Sequence, residues 1–260
     1  MTNRRYNLES FFTDLQFEEE RHLYNVGEEV LTSTTTFLRN YSKPFDTGMM
    51  SKLVDKKNKK AGIDLGADYY KRYWNYYGAE KRALGTRVHF FAEQMPNFTE
   101  VKDGYEQSVV SFYKDIIEGK EVLENNELRC YYKGICGTMD LVTSDERGLI
   151  IRDYKTSKQL DDSFGKMLAP FKMFKDSNWN KYSLQLLVYA YIVEKATGVK
   201  AYKLEIVKLA EDGYKVVPIN PDMKIVFDYL VFCDKDFIYN INRGGETAFE
   251  LLQNELKKGL

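Results

Sequence analysis

Apolar residues recur along this chain at two spacings, one of about 3.6 residues and one of 2, and the switches between them divide it into helical and extended stretches. A short extended piece at residues 23–31 is followed by helices. The hydroxyl run Ser33, Thr34, Thr35 and Thr36 can cap a helix that Pro44 ends. Helical spacing then runs through residues 68–94, with breaks expected at Gly78 and Gly85, and again through 105–117, where Gly119 stops it. β-Branched and aromatic residues take over in 122–142 and 149–155, and the polar SDERG between them at 144–148 is a hairpin signal. A strongly apolar helix over 182–197 ends at Gly198, followed by strands at 200–209 and 214–219 and a helix over 221–242. Helices, strands, helix, strands, helix is the order of an α/β fold whose mixed central sheet is flanked by helices.

Composition adds limits to this outline. With 260 residues, 43% of them hydrophobic, the chain can bury a full core, and neither a linker nor an internal repeat divides it. A single domain over 1–260 is expected, with 1–94 as a mostly helical N-terminal elaboration and 95–260 as the catalytic core. No apolar run is long enough to span a membrane, and the opening MTNRRYNLESFF lacks the apolar core of a secretion signal or an evident transit peptide. A soluble intracellular protein is expected, of the cytoplasm of a bacterial or phage-infected cell. Cys130, Cys136 and Cys233 are an odd number without CxxC spacing, which favours neither a disulfide framework nor a zinc site. The net charge of −1 argues against a protein that coats nucleic acid, since such affinity comes from Lys and Arg displacing counterions. It leaves room for an enzyme that concentrates acids at one place and cations along another.

The chemistry is concentrated in GTMDLV at 137–142 and RDYKTS at 152–157. If residues 145–148 form the turn, Ser144 pairs with Leu149, and counting back along both strands brings Asp140 opposite Asp153. Opposed strand residues have Cβ atoms about 4.5–5.5 Å apart, so two carboxylates there repel unless a cation lies between them. Mg²⁺ or Mn²⁺ suits such hard oxygen ligands, and either can activate a water and neutralise charge on a phosphate. Alternation places Lys155 on the face of Asp153, where an ammonium can stabilise developing negative charge. The bland alternative, two exposed aspartates paired with nearby cations, suits an isolated Asp-x-Lys better than it suits this hairpin.

His89 in GTRVHFFAE, Asp140 in GTMD, Asp153 and Lys155 in RDYKTS, and Gln185 with Tyr189 in LQLLVY together resemble the RecB-type branch of the PD-(D/E)xK nucleases. The order of elements is most similar to mitochondrial genome-maintenance and phage exonucleases. LTSTTTFLRNYSKPFD at 31–46 is similar to their N-terminal segment, so the resemblance covers most of residues 23–210. It implies a restriction-endonuclease-like core and a metal site of His89, Asp140, Asp153 and the backbone carbonyl of Tyr154. The alternative for His89 is a buried, hydrogen-bonded histidine. The family also uses an acid on the preceding strand, for which VLENNEL offers Glu124 and Glu127; Glu124 is preferred, the other being a solvated residue. Gln185 and Tyr189, four apart on one helix face, are implied to lie against the sheet and touch DNA, although a buried helix whose glutamine satisfies a backbone group explains the same spacing.

A DNA track is suggested by YYKRYWNYYGAEKRALGTR at 69–87, in which Lys71, Arg72, Lys81, Arg82 and Arg87 alternate with aromatics that include Trp74. Lys56, Lys57, Lys59 and Lys60 precede it. Cations following a phosphate chain beside aromatic plates suit a single-stranded nucleic acid. Tyr70, Tyr73, Trp74 and Tyr77 share a helical face, so a packing stripe is an equal reading of the aromatics. Three cysteines in these positions cannot build the four-cysteine iron–sulfur cluster of some relatives, and no nucleotide-binding GKT or GKS is present. The expected function is a Mg²⁺- or Mn²⁺-dependent DNA exonuclease favouring single-stranded ends, recruited by a replication or recombination protein. The alternatives are a structure-specific endonuclease or nickase of the same fold, and a non-catalytic nucleic-acid-binding module.

Overall fold

The structure, a computed structural model, describes residues 6–18, 20–21, 23–98 and 100–242. After a single 3-10 turn at Leu8–Phe11 come three short strands, β1 (Leu15–Glu18), β2 (Leu23–Val26) and β3 (Glu29–Ser33). Three helices follow, α1 (Thr34–Arg39), α2 (Thr47–Lys60) and α3 (Ala67–Glu93), and then α4 (Gly104–Phe112), which ends in a π-helical turn at Tyr113–Ile117. The centre of the chain is β4 (Val122–Tyr132), β5 (Ile135–Asp145) and β6 (Gly148–Lys155), with a small hairpin of β7 (Ser163–Lys166) and β8 (Lys175–Ser177) beyond them. Helix α5 (Asn178–Thr197), strands β9 (Ala201–Ala210) and β10 (Gly213–Pro218), and helices α6 (Pro221–Cys233) and α7 (Phe237–Asn242) complete it.

The helix starts are chemically marked. Ser33, Asp46, Asp103, Ser177 and Asn220 each accept a backbone N–H of the helix that follows, satisfying a donor with no intrahelical partner. Gly198 closes α5 in the left-handed conformation that glycine adopts without penalty.

Among the described residues the large sheet has eight strands, with the path β1-β2-β3-β5-β6-β9-β10 and β4 paired to β5. The β3–β5 and β6–β9 pairs are parallel and the rest antiparallel, the mixed central sheet expected. β4 runs along one edge of β5 from Tyr132↔Ile135 to Val122↔Ser144. The other edge is shared: β3 takes its start through Thr32↔Ile135 and Ser33↔Cys136, and β6 takes its far half from Leu141↔Arg152 to Asp145↔Gly148. Between them, at residues 137–140, that edge of β5 has no strand partner among the described residues. The sheet is split there.

Each face carries a core. Leu149, Ile151, Leu204 and Ile206 pack under Leu184, Val188 and Ile192 of α5, with α6 and α7 behind. On the opposite face Leu141, Tyr154, Val207 and Leu209 meet Val88 and Phe91 of α3 and Val109 and Phe112 of α4. Burying each such side chain is worth roughly 1.5–3 kcal/mol, which fixes the register of the strands between the layers.

Several sequence expectations need correction. Helix α3 is continuous over 27 residues, with no break at Gly78 or Gly85. A glycine costs a helix only about 1 kcal/mol, and burial of Val88, Phe91 and Ala92 at the far end outweighs it. Residues 122–142 are two strands that reverse at Lys133–Gly134, both in the left-handed region, as a tight hairpin turn requires. The last helix is interrupted where Asp234 is extended and its carboxylate accepts the Asp236 N–H. The extended piece expected at residues 23–31 forms β2 and most of β3, and with β1 it supplies three strands of the sheet.

Candidate active site

The split is where the acids gather. The β5–β6 hairpin has the register read from the sequence, with Ser144 opposite Leu149, although its turn is tighter: Asp145 pairs with Gly148, leaving Glu146 and Arg147 as the loop. The same count brings Asp140 level with Asp153. On the other side of β5, the pairs Asn126↔Leu141 and Leu128↔Met139 bracket Glu127 and bring it level with Asp140. Glu127, Asp140 and Asp153 therefore stand in one row across three adjacent strands.

Asp140 ends the β5–β6 ladder. Its Oδ2 accepts the Tyr154 backbone N–H at 2.7 Å in place of a neighbouring strand carbonyl. His89, from the α3 layer, faces the same point, with Nδ1 3.3 Å from Asp140 Oδ1 and Nε2 3.0 Å from the Tyr154 carbonyl oxygen. Burial disfavours the charged imidazole, but the carboxylates of Asp140 and Asp153 outweigh it and lift His89 to about 9. Asp140 moves the other way, held below the usual carboxylate range by His89 and Lys155 against the pull of burial.

Alternation from Leu149 and Ile151 puts Asp153 and Lys155 on the α5 face. Lys155 Nζ lies 2.5 Å from Asp153 Oδ2 and 4.7 Å from the centre of the Tyr182 ring at the start of α5. Burial works against its charge, yet Asp153 and Asp140 keep the ammonium protonated well past its ordinary range. Asp153 is raised, chiefly by burial, with Asp140 adding repulsion. That buried oxygen is met by the Lys155 ammonium and accepts no other hydrogen bond among the described residues.

Glu124 and Glu127 are separated by the fold in the sense opposite to the expectation. A bulge between Leu123 and Asn125 interrupts the β4 ladder, and Glu124 is turned to the N-terminal segment. It accepts the Tyr6 N–H at 2.9 Å and the Ser144 hydroxyl at 2.5 Å, both structural tasks. Glu127 joins the site instead. One ligand atom each from His89, Glu127 and Asp140 lie within 4.8 Å of one another. Burial and the neighbouring Asp140 push Glu127 up to about 7. Its backbone, at φ 50, sits in a region that non-glycine residues seldom adopt, and such strain concentrates at functional sites.

These features fit a divalent cation. An imidazole, carboxylates that repel one another, the Tyr154 backbone carbonyl that His89 faces and a buried Asp153 oxygen met by the Lys155 ammonium form a hard donor set of the kind that takes Mg²⁺ or Mn²⁺. His89, Glu127 and Asp140 converge most tightly. Asp153 and the Tyr154 carbonyl border them.

The expected DNA contacts divide. Tyr189 is 3% exposed, hydrogen-bonded by Gln185 Nε2 at 3.0 Å and packed over Gly137, so it is a wall of the site rather than a surface that DNA touches. Gln185 is buried with it. Arg87 is committed to Asp103 and, at 2.6 Å, to Glu106, so it ties α3 to α4 and is not a free phosphate contact. Trp74 is half-buried against Tyr70 and Phe45, which is packing. Lys71 pairs with Asp68 at the surface and Arg72 is exposed. Arg82 is also exposed and lines a cleft with Tyr77, Lys81, Thr156, Ser157, Lys158 and Lys181, directly beyond Lys155. Lys158, Lys181 and Tyr182 carry no motif, and only the fold brings them to this place.

A model of the PD-(D/E)XK nuclease superfamily matches residues 50–256, and the chain belongs to that family, whose nucleases use divalent metals. Among solved structures it is similar to the "Putative exonuclease" of Eubacterium rectale, at 14% identity over 79% of this chain and 71% of that one, with a TM-score of 0.34. The comparison with curated proteins returned no match. No helix among the described residues is long and apolar enough to cross a membrane.

Proposed function

We propose that the chain is a Mg²⁺- or Mn²⁺-dependent DNA exonuclease of the RecB-type branch, working on single-stranded ends in replication, recombination or DNA processing. The observation that carries the hydrolytic part is the row Glu127, Asp140 and Asp153 at the split in the sheet, with His89 on one side and Lys155 on the other. A binding module would gain nothing from buried, mutually repelling carboxylates, which cost stability unless a cation joins them. The exonuclease part rests on the resemblance of the His89, GTMD, RDYKTS and Gln185 series to exonucleases.

His89, Glu127, Asp140, Asp153 and the Tyr154 carbonyl would hold the cation, which supplies a Lewis acid for the scissile phosphate and lowers the pKa of a water. Asp140 is oriented for this by the Tyr154 N–H, so its carboxylate does not have to be ordered when substrate arrives. Lys155, kept as an ammonium between Asp153 and the Tyr182 ring, faces charge that builds on the phosphate oxygens. Gln185 and Tyr189 hold the wall behind Gly137 and exclude water from that side.

Digestion of 5′- and 3′-labelled single strands, linear and covalently closed, with Mg²⁺, Mn²⁺ or chelator, tests the proposal. Metal-dependent loss of the linear strand with the circle intact is expected. Cutting of the circle would make the enzyme an endonuclease, and no metal-dependent cutting of either would end the nuclease reading.

A further inference from the structure

On α3 the rings of Tyr69, Tyr73 and Tyr77 are exposed, at 42%, 51% and 45%, although tyrosines at helical spacing ordinarily pack inward. Their neighbours do pack inward: Tyr70 is buried, its hydroxyl held by Asn58, and Trp74 lies against it. The two sets follow different rows of one helix, so the packing row accounts for α3 being anchored and leaves the second row unexplained. In that row the rings are nearly parallel, 10° apart at 6.4 Å for Tyr69 and Tyr73 and 15° apart at 6.1 Å for Tyr73 and Tyr77. One step further along, Lys81 Nζ sits 5.4 Å from the Tyr77 ring centre. Tyr77 and Lys81 together wall the cleft that opens beside Thr156 and Ser157, the residues that follow Lys155.

We propose that Tyr69, Tyr73 and Tyr77 form a stacking ladder for successive bases of an unpaired DNA strand, whose phosphates pass Lys81, Arg82, Lys158 and Lys181 on the way to the acids. This rests on the nuclease reading above and names the element that selects the strand. Three observations carry it. The rings are about half exposed and nearly parallel, and an exposed aromatic ring stacks on any base without regard to sequence. Their spacing of 6.1–6.4 Å is close to twice the ~3.4 Å rise of a stacked duplex, so one base per ring demands a stretched strand that pairing forbids. The row is continuous with a cleft in which four cations stand against the carboxylates of Asp162 and Asp176, one of which, Asp176, is already paired with Lys181. A protein-binding face would have no reason to continue as a cationic cleft ending at a phosphate-cutting site.

The test separates bases from phosphates and needs no turnover. Binding of a 20-nucleotide oligo-dT and of an abasic strand of equal phosphate count is compared in chelator, for the wild-type chain, for Tyr69→Ala/Tyr73→Ala/Tyr77→Ala and for the corresponding triple Phe variant. The wild type should prefer oligo-dT by on the order of 1,000-fold, from stacking worth about ten-fold per base at each of the three rings. The Ala variant should bind both strands alike, and the Phe variant should keep the preference, since only the ring face matters. Equal binding of the two strands by the wild type, or a preference undiminished in the Ala variant, overturns the ladder. Because cleavage is not read, a chain that proves unable to cut DNA can still pass this test, and an active nuclease can still fail it.

Discussion

Asp140 accepts the backbone N–H of Tyr154 through its side chain, at the position where β5 and β6 would otherwise continue as paired strands. One aspartate thus both opens the sheet and aims its second oxygen at His89. Asp140→Asn separates these tasks. The amide oxygen can still take the N–H, so melting temperature in chelator should stay within a few degrees of wild type. The lost charge should lower Mg²⁺-dependent cutting by about 10³-fold, the scale for removing an electrostatic stabiliser from an active site. Parallel thermal denaturation and initial-rate measurements check both halves.

Glu127 and Glu124 are predicted to behave oppositely. Glu127→Gln should cut metal-dependent activity severely while leaving the folded state at least as stable in chelator, because it removes a half-buried charge that repels Asp140. Glu124→Ala should cost about 1–3 kcal/mol, the usual penalty when the Tyr6 N–H and the Ser144 hydroxyl lose a shared buried acceptor. Its activity per folded molecule should stay near wild type. Urea unfolding with activity assays distinguishes the two, and the reverse pattern would return Glu124 to the site.

That exchange shows where sequence reading reached its limit. The hairpin register was legible because strands alternate strictly, and one turn fixes every position behind it. A bulge breaks that counting, and nothing in VLENNEL signals that the ladder shifts between Leu123 and Asn125. Arg87 looked like a phosphate ligand because its partners, Asp103 and Glu106, lie at the start of another helix, distant in sequence. Tyr189 looked like a DNA contact because four-residue spacing to Gln185 says that two side chains share a face, not whether another layer covers it. Short-range periodicity identified the acids and the helices; long-range packing decided which polar residues remain free.

Arg152, next to the row of acids but pointing to the opposite core, is fully buried among Glu121, Glu205 and Thr143, with its guanidinium 5.7 Å from the Phe112 ring centre. Arg152→Met should destabilise the protein by about 3–5 kcal/mol, since two carboxylates lose their shared cation inside the protein. Adding Glu121→Gln and Glu205→Gln should recover part of that loss in urea titrations. No recovery would mean that packing, rather than charge, sets the cost.

Gly137 has no room for a side chain. A Cβ there would meet the Tyr189 ring at 2.6 Å and the Thr34 hydroxyl at 3.2 Å. Gly137→Ala should cost about 1–3 kcal/mol, as overpacking of a core does. It should also lower activity by shifting the strand that carries Asp140. Gly137→Ala with Tyr189→Phe, which keeps the ring, should not relieve the loss, whereas Tyr189→Leu should relieve part of it.

Cleavage of a labelled single strand by the wild-type chain and by Asp153→Asn, each with Mg²⁺ and with EDTA, addresses the hydrolytic site most directly. Cutting by the wild type with Mg²⁺ alone, and by Asp153→Asn under neither condition, is the expected result. Undiminished cutting by a folded Asp153→Asn variant, or by the wild type in EDTA, would contradict it.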